Sequence, residues 1–163
     1  MPITLPVYGV TVVSPEAVGV ILLRGLSGAG KSEFARVFLP GDAIAADDFF
    51  VGEDGVYRFD PAMLGDAHGS CLESTRQRLE GFGNTCVVVN NTFTQRWEME
   101  AYLQLAERLG VRVTVIDLFD GGCTDEELFE RNTHGVPLES IRAMRARYEH
   151  DWRVGNPVPP WER

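Results

Sequence analysis

Lysine is all but absent from this chain of 163 residues: of its 15 basic residues, Lys31 is the only one that is not arginine. Positive charge is scarce as a whole, since 24 acidic residues outweigh the basic ones and leave a net charge of −9. That balance excludes broad non-specific binding to nucleic acid, although it leaves a local arginine-lined groove open. Cysteine is equally sparse. Cys71, Cys86 and Cys123 form no C-x-x-C pair, so neither a structural zinc nor a disulfide framework is expected, and free thiols in a reducing compartment are. No apolar run approaches the roughly 18 residues of a membrane span, and the first residues lack the charged-then-apolar pattern of a leader. The expectation is a soluble, cytoplasmic protein with no membrane partner, and one domain over residues 1–163, with 1–17 as an N-terminal extension and 153–163 as an irregular tail.

The most informative stretch is Gly25-Leu26-Ser27-Gly28-Ala29-Gly30-Lys31-Ser32, which fits the phosphate-cradling pattern G-x-x-x-x-G-K-[ST]. An apolar, β-branched run precedes it and a helix-like run follows it, the context the motif requires. Its glycines let the backbone approach an anion, and the N–H groups around Gly28, Ala29 and Gly30 then point at phosphate. Lys31 is expected to reach the β and γ oxygens of a nucleoside triphosphate, and Ser32 to ligate Mg²⁺. A chain that otherwise uses arginine has kept lysine where a compact point charge suits a phosphate.

In chain order, residues 7–13 read as an edge strand or hairpin arm, 18–24 as a buried parallel strand, and 43–46 as a second short one ending at Asp47-Asp48-Phe49-Phe50. Carboxylates just past a strand end lie where open α/β sheets bind ligands. Adjacent extended residues face opposite ways, so one of Asp47 and Asp48 is expected to face the site, and Asp48 is also placed to cap a helix. A helix over 62–80 follows, with His68 near its buried face as either a core histidine or a functional one. Residues 85–90 form the clearest strand. It ends at Asn90, where phosphate-loop proteins place their second Mg²⁺ group; an amide there brings no charge. Residues 95–109 read as a helix with Trp97, Ala101, Leu105 and Leu109 inward, 111–119 as a strand, 124–131 as a capped helix, and 137 onward as the last helix, with Ile141, Met144 and Tyr148 inward. Strands alternating with helices give an α/β fold with a parallel sheet.

Together the stretches GLSGAGKS, AADDFF, GVYRFDP, Ala67-His68, VVVNNTF, WEM and RNTHGVP, with the following IRAMRARYE, resemble the P-loop polynucleotide kinase-like family over about residues 20–150. Within the AAA-type, zeta-toxin-like P-loop kinases, the likeness is strongest to the branch found in Nedd-binding proteins and more distant to bacteriophage polynucleotide kinase. The resemblance implies a three-layer sandwich with a central parallel sheet and a helical lid. It also implies ATP and Mg²⁺ as cofactors, and transfer of the γ-phosphate to a hydroxyl, often the 5′-hydroxyl of a nucleic acid. By this likeness Lys31 and Ser32 bind the phosphates and Mg²⁺, Asp47 is the general base, and Arg131 is a lid arginine, although an ion pair of Arg131 with Glu127 is an equally simple reading. The family motif D-N-T-N is here Asn90-Asn91-Thr92-Phe93, which removes a carboxylate from the metal site; Asn91 is retained as a candidate substrate contact. Phe50 stands where the phage enzyme has an acceptor-binding arginine, and either stacks on a base or belongs to the core. Asn132 and His134 either shape the substrate mouth or cap the lid helix. Arg142, Arg145, Arg147 and Arg153 either form a basic surface or pair with neighbouring acids. Phage members of this group phosphorylate hydroxymethylated bases in DNA, and other P-loop kinases act on nucleosides or small metabolites, so these acceptors stand as alternatives. A nucleotide-binding module without catalysis is a further alternative.

Overall fold

The computed structural model describes residues 3–5, 10–12, 19–39, 41–81 and 86–150, the first two segments by backbone alone. The expected tail, Arg153 and most of the N-terminal extension lie outside these residues. Within the extension, β1 (Ile3–Leu5) pairs antiparallel with β2 (Val10–Val12), Ile3 opposite Val12. The expected arm at 7–13 therefore has a partner that the sequence reading did not place.

The centre is a parallel sheet in the order β4-β3-β5, built from β3 (Gly19–Arg24), β4 (Cys86–Asn90) and β5 (Arg112–Asp117). Every residue of β3 is buried, as expected of a strand covered on both faces. Its side chains alternate between two cores. Val20 and Leu22 join Val87, Val89 and the inner faces of α2 (Leu64–Gly81) and α3 (Trp97–Leu109). Ile21 and Leu23 join Val88, Ile116 and α1 (Lys31–Phe38), through Ala35 and the following Leu39. Each buried aliphatic side chain contributes about 1.5–3 kcal/mol, and the two-residue period divides that gain between the faces. The fold is the expected α/β sandwich.

The expected strand at 43–46 is reduced to a single parallel bridge, Ile44 to Val89. Pairing stops because Ala46 N–H donates to Asn91 Oδ1 (2.8 Å) and residues Ala46–Phe50 coil into a 3-10 turn. In α3 the buried residues are Met99, Tyr102, Leu105 and Ala106, while Trp97 is 70% exposed. Trp97 precedes Met99 by two residues, about 200° around the helix, so it lies opposite the seam. Apolar residues on both sides of α3 made the face ambiguous in sequence.

Beyond β5, Thr124 and Glu127 form the expected capping box of α4 (Asp125–Arg131). Helix α5 (Leu138–Arg147) follows Pro137. Leu128, Ile141 and Tyr148 pack on Leu26, Ala29 and Phe119, so these two helices form a lid seated directly on the glycine loop. Among the described residues no helix is long and apolar enough to cross a membrane.

Candidate active site

The loop joining β3 to α1 takes its shape from positions that only glycine fills easily. Gly30, the residue before α1, has φ 92°, and Gly28 has φ 84°. A Cβ on Gly28 would lie 2.3 Å from the carbonyl oxygen of Leu128 in α4, so the lid backbone rests on the loop at that point. The first hydrogen bond of α1 runs from Phe34 N–H to Gly30 O, 2.9 Å. The N–H groups of its first turn are thus left for an anion. Ala29 differs: its N–H donates to Leu26 O at 3.1 Å and the residue is buried, so it shapes the loop.

Lys31 Nζ folds back over the loop, donating to Gly25 O (2.9 Å) and Leu26 O (3.0 Å). Burial pulls its ammonium down to about 8, and the nearby Asp47 carboxylate opposes that shift. Asn90, at the end of β4, donates from Nδ2 to Ser32 Oγ at 3.1 Å. The two residues predicted to flank a metal ion therefore meet across the sheet edge.

The adjacent carboxylates do separate, but through the 3-10 turn of Ala46–Phe50, which sets consecutive side chains about 120° apart, and not through strand alternation. Asp48 Oδ2 accepts from Ala45 N–H (2.9 Å) and caps its own turn, beside a groove of about 200 Å³ against α2 that Phe49, Ser70 and Cys71 also line. Asp47 is engaged with other partners, and its charge is felt at the Lys31 ammonium. Its Oδ1 accepts from the Tyr57 hydroxyl at 3.0 Å, and its Oδ2 lies 3.9 Å from His134 Nε2. Tyr57 is a site residue that the sequence reading did not single out, although GVYRFDP was among the matching stretches. It enters because the chain turns back after Gly52–Gly55 and pairs Tyr57 with Val51.

Arg131 reaches the loop from α4. Its Nη1 donates to Cys123 Sγ at 2.9 Å, and Nη2 lies 3.4 Å from the point a Cβ on Gly30 would occupy. Glu127 is engaged in the capping box, not with Arg131.

Other candidates have structural duties. Asn91 is buried, with Oδ1 on Ala46 N–H and Nδ2 donating to Cys71 Sγ (3.6 Å), so it holds the Asp47 turn from behind. Asn132 closes the loop after α4 through Phe129 O, Val136 O and Val136 N. Phe50 is in the core, its ring packed on Phe49, Tyr57 and Phe59, which removes it from base stacking. His68 is exposed on α2 and not on its buried face. Of the two readings of the α5 arginines, pairing holds for Arg142, with Glu126 and Glu139, and for Arg145, with Asp120 and Asp125, while Arg147 donates to the Thr94 hydroxyl. Arg24, at the end of β3, is fully buried, a position that the apolar strand before it does not signal.

A glycine loop between strand and helix, a lysine folded over it and an arginine-bearing lid define a kinase-like P-loop domain. Residues 20–150 match the AAA domain family, and the chain belongs to that family. It is 34% identical over 138 residues to human NEDD4-binding protein 2, covering 79% of this chain and 8% of that protein, so it spans only a small part of that relative. Among solved structures, the Pnkp1/Rnl/Hen1 RNA repair complex superposes with a TM-score of 0.64 at 18% identity, over 90% of this chain and 50% of that one. The complex of AvrRxo1-ORF1 and ORF2 with ATP gives 0.59 at 17% identity, over 82% of this chain and 48% of that one. At these identities the structural likeness speaks for the fold.

Proposed function

We propose that the domain transfers the γ-phosphate of ATP to an alcohol hydroxyl, with Asp47 as general base. The observation that carries this reading is the half-exposed Asp47 carboxylate, held by Tyr57 and faced by His134 of the lid, with its charge felt at the Lys31 ammonium of the glycine loop. ATP as donor is supported by the structural neighbour whose complex contains it. Lys31, the first turn of α1 and Arg131 would neutralise the triphosphate, which is most of what a loose phosphoryl-transfer transition state needs. Asp47, within hydrogen-bond reach of the acceptor, would take its proton.

Mg²⁺ fits the donor set in a restricted way. Ser32 offers a hydroxyl, and Asn90 would offer its amide oxygen with its side chain turned over, since Nδ2 now faces Ser32. Among the described residues no group of three or more His, Cys, Asp or Glu is arranged to hold a metal. An ion here would be held by those two residues and carried mainly by the nucleotide phosphates; when bound, it would neutralise charge on the β and γ oxygens.

Family likeness favours the 5′-hydroxyl of a nucleic acid as acceptor, and the RNA repair complex among the neighbours agrees with it. A second reading, a small acceptor such as a nucleoside or metabolite, is favoured by the pairing of Arg142 and Arg145 with acids. The experiment is transfer of labelled γ-phosphate to 5′-hydroxyl DNA and RNA oligomers, DNA with hydroxymethylated bases, and free nucleosides. Label on a 5′ end, removable by phosphatase, supports the polynucleotide reading. Label on an internal base or a nucleoside moves the acceptor and keeps the chemistry. ATP binding without transfer or hydrolysis rules out these acceptors and leaves either a small metabolite outside the panel or a binding module.

A further inference from the structure

The lid brings two polar groups to the sheet edge on one short segment. Arg131 lies beside Gly30 of the loop, and His134 lies 3.9 Å from Asp47 Oδ2 through its Nε2. Tyr57 holds both partners of that second contact. Its ring meets the His134 ring edge-on, centroids 4.5 Å apart, and its hydroxyl donates to Asp47 Oδ1 at 3.0 Å. One carboxylate oxygen is therefore occupied. The other faces an imidazole nitrogen across a gap too long for a direct hydrogen bond. Both side chains are open to a ligand, 39% exposed for His134 and 49% for Asp47. An oxygen about 2.8 Å from each atom fits the apex of that triangle.

We infer that His134 is a second acceptor-binding residue. The hydroxyl to be phosphorylated is received between Asp47 Oδ2 and His134 Nε2, with Tyr57 as a positioning residue behind Asp47. This rests on the reading of Asp47 as base. In the transfer the hydroxyl proton passes to Asp47 Oδ2, and the oxygen forms its bond to the γ-phosphorus. The bond from that phosphorus to the β-bridging oxygen breaks, and ADP leaves with the electron pair. His134 donates Nε2–H to the acceptor oxygen, directs its free lone pair toward the phosphorus, and neither gains nor loses a proton. Donor-side and acceptor-side groups thus sit three residues apart on one lid segment, Arg131 and His134.

The test is steady-state transfer from labelled ATP to a 5′-hydroxyl DNA oligomer and to thymidine by wild type, His134→Ala, His134→Gln and Tyr57→Phe. His134→Ala is expected to raise the acceptor KM about tenfold, with the KM for ATP and the Tm unchanged. His134→Gln, which keeps an N–H donor, recovers most of that loss. Tyr57→Phe lowers kcat several-fold and leaves both KM values in place. If the acceptor KM of His134→Ala equals wild type, or if the KM for ATP rises in step with it, the assignment is overturned. Should neither acceptor be labelled, ATP hydrolysis with water in the acceptor position gives the same reading: His134→Ala lowers its kcat, and an unchanged rate overturns the inference. Asp47→Asn run alongside separates the two ideas, since its activity at the wild-type rate refutes the base and the shared site with it.

Discussion

Replacing Arg24 with methionine should destabilise the fold more than most changes within the site. Arg24 is fully buried and donates to Phe93 O (2.9 Å), Thr94 O (3.2 Å), Glu149 O (2.8 Å) and Asp117 Oδ2 (3.2 Å). Its guanidinium lies 4.2 Å from the centroid of the Tyr148 ring, and Tyr148 in turn donates its hydroxyl to Asp117 Oδ1 at 2.6 Å. One side chain thereby ties the end of β3 to the loop after β4, the end of β5 and the end of α5. Methionine matches the apolar stem and deletes every donor. Three carbonyls lose a partner, and Asp117, only 15% exposed, loses its cation. Breaking a buried pair from one side costs about 3–5 kcal/mol, which for a domain of this size lowers Tm by roughly 6–20 °C. The released segment includes Phe93, held at φ 43°, where a non-glycine residue costs about 1–2 kcal/mol; freed of Arg24, it is expected to move and loosen the glycine loop through the bond from Gly25 N–H to Thr92 O. The assay is thermal unfolding with and without nucleotide, together with the double variant carrying Asp117→Asn. That second change should cost less in the Arg24→Met background than in wild type, by about 1–3 kcal/mol. A Tm within about 2 °C of wild type for Arg24→Met, corresponding to about 1 kcal/mol or less, would mean that the Arg24 contacts do not hold these segments together.

Three further predictions concern the loop and the metal position. Gly28→Ala places a methyl group 2.3 Å from Leu128 O at a φ of 84°; lid and loop must part, and calorimetry should show nucleotide affinity falling at least tenfold, an unchanged affinity arguing against lid contact. Lys31 titrates near 8 before nucleotide binds, so above that pH a growing fraction is neutral and must take up a proton to bind phosphate. ADP affinity should then fall toward tenfold per pH unit above 8, with proton uptake detected by calorimetry in two buffers, and a flat profile from pH 7 to 9.5 would remove Lys31 from the phosphate site. Asn90→Asp adds a carboxylate beside Ser32 and should lower the Mg²⁺ concentration needed for half-maximal activity several-fold; no change places Asn90 outside the metal's reach.

What was legible in sequence was local. The glycine spacing and the single lysine marked the loop, continuous apolar runs marked β3 and β4, and the place of Asp47 just after Ile44, whose bridge to Val89 is what remains of the expected strand, marked the sheet edge. What was not legible depends on side chains meeting from distant segments. Tyr57 stands ten residues beyond Asp47 and meets it only because the chain turns back at Gly52–Gly55, so nothing adjacent to it signals a role. Arg24 ends an apolar strand, where an arginine ordinarily points to water; its burial follows from backbone carbonyls supplied by residues 93, 94 and 149. The arginines of α5 read equally well as a basic surface or as paired charges, and Glu126, Asp120 and Asp125 decide the matter from the lid helix and the turn before it. Phe93 occupies a left-handed position where the family motif has asparagine, a residue that tolerates it. Its burial against Tyr102 fits a replacement that exchanges backbone ease for packing.

The most direct test of the account separates binding from chemistry in Asp47→Asn. ATP affinity and ATP-linked transfer or hydrolysis would be measured on wild type, Lys31→Ala and Asp47→Asn. Lys31→Ala is expected to lose both, whereas Asp47→Asn binds ATP as wild type does and turns over about 10²–10⁴ times more slowly. Turnover of Asp47→Asn at the wild-type rate would contradict the assignment of Asp47 as base, and with it the site proposed around it.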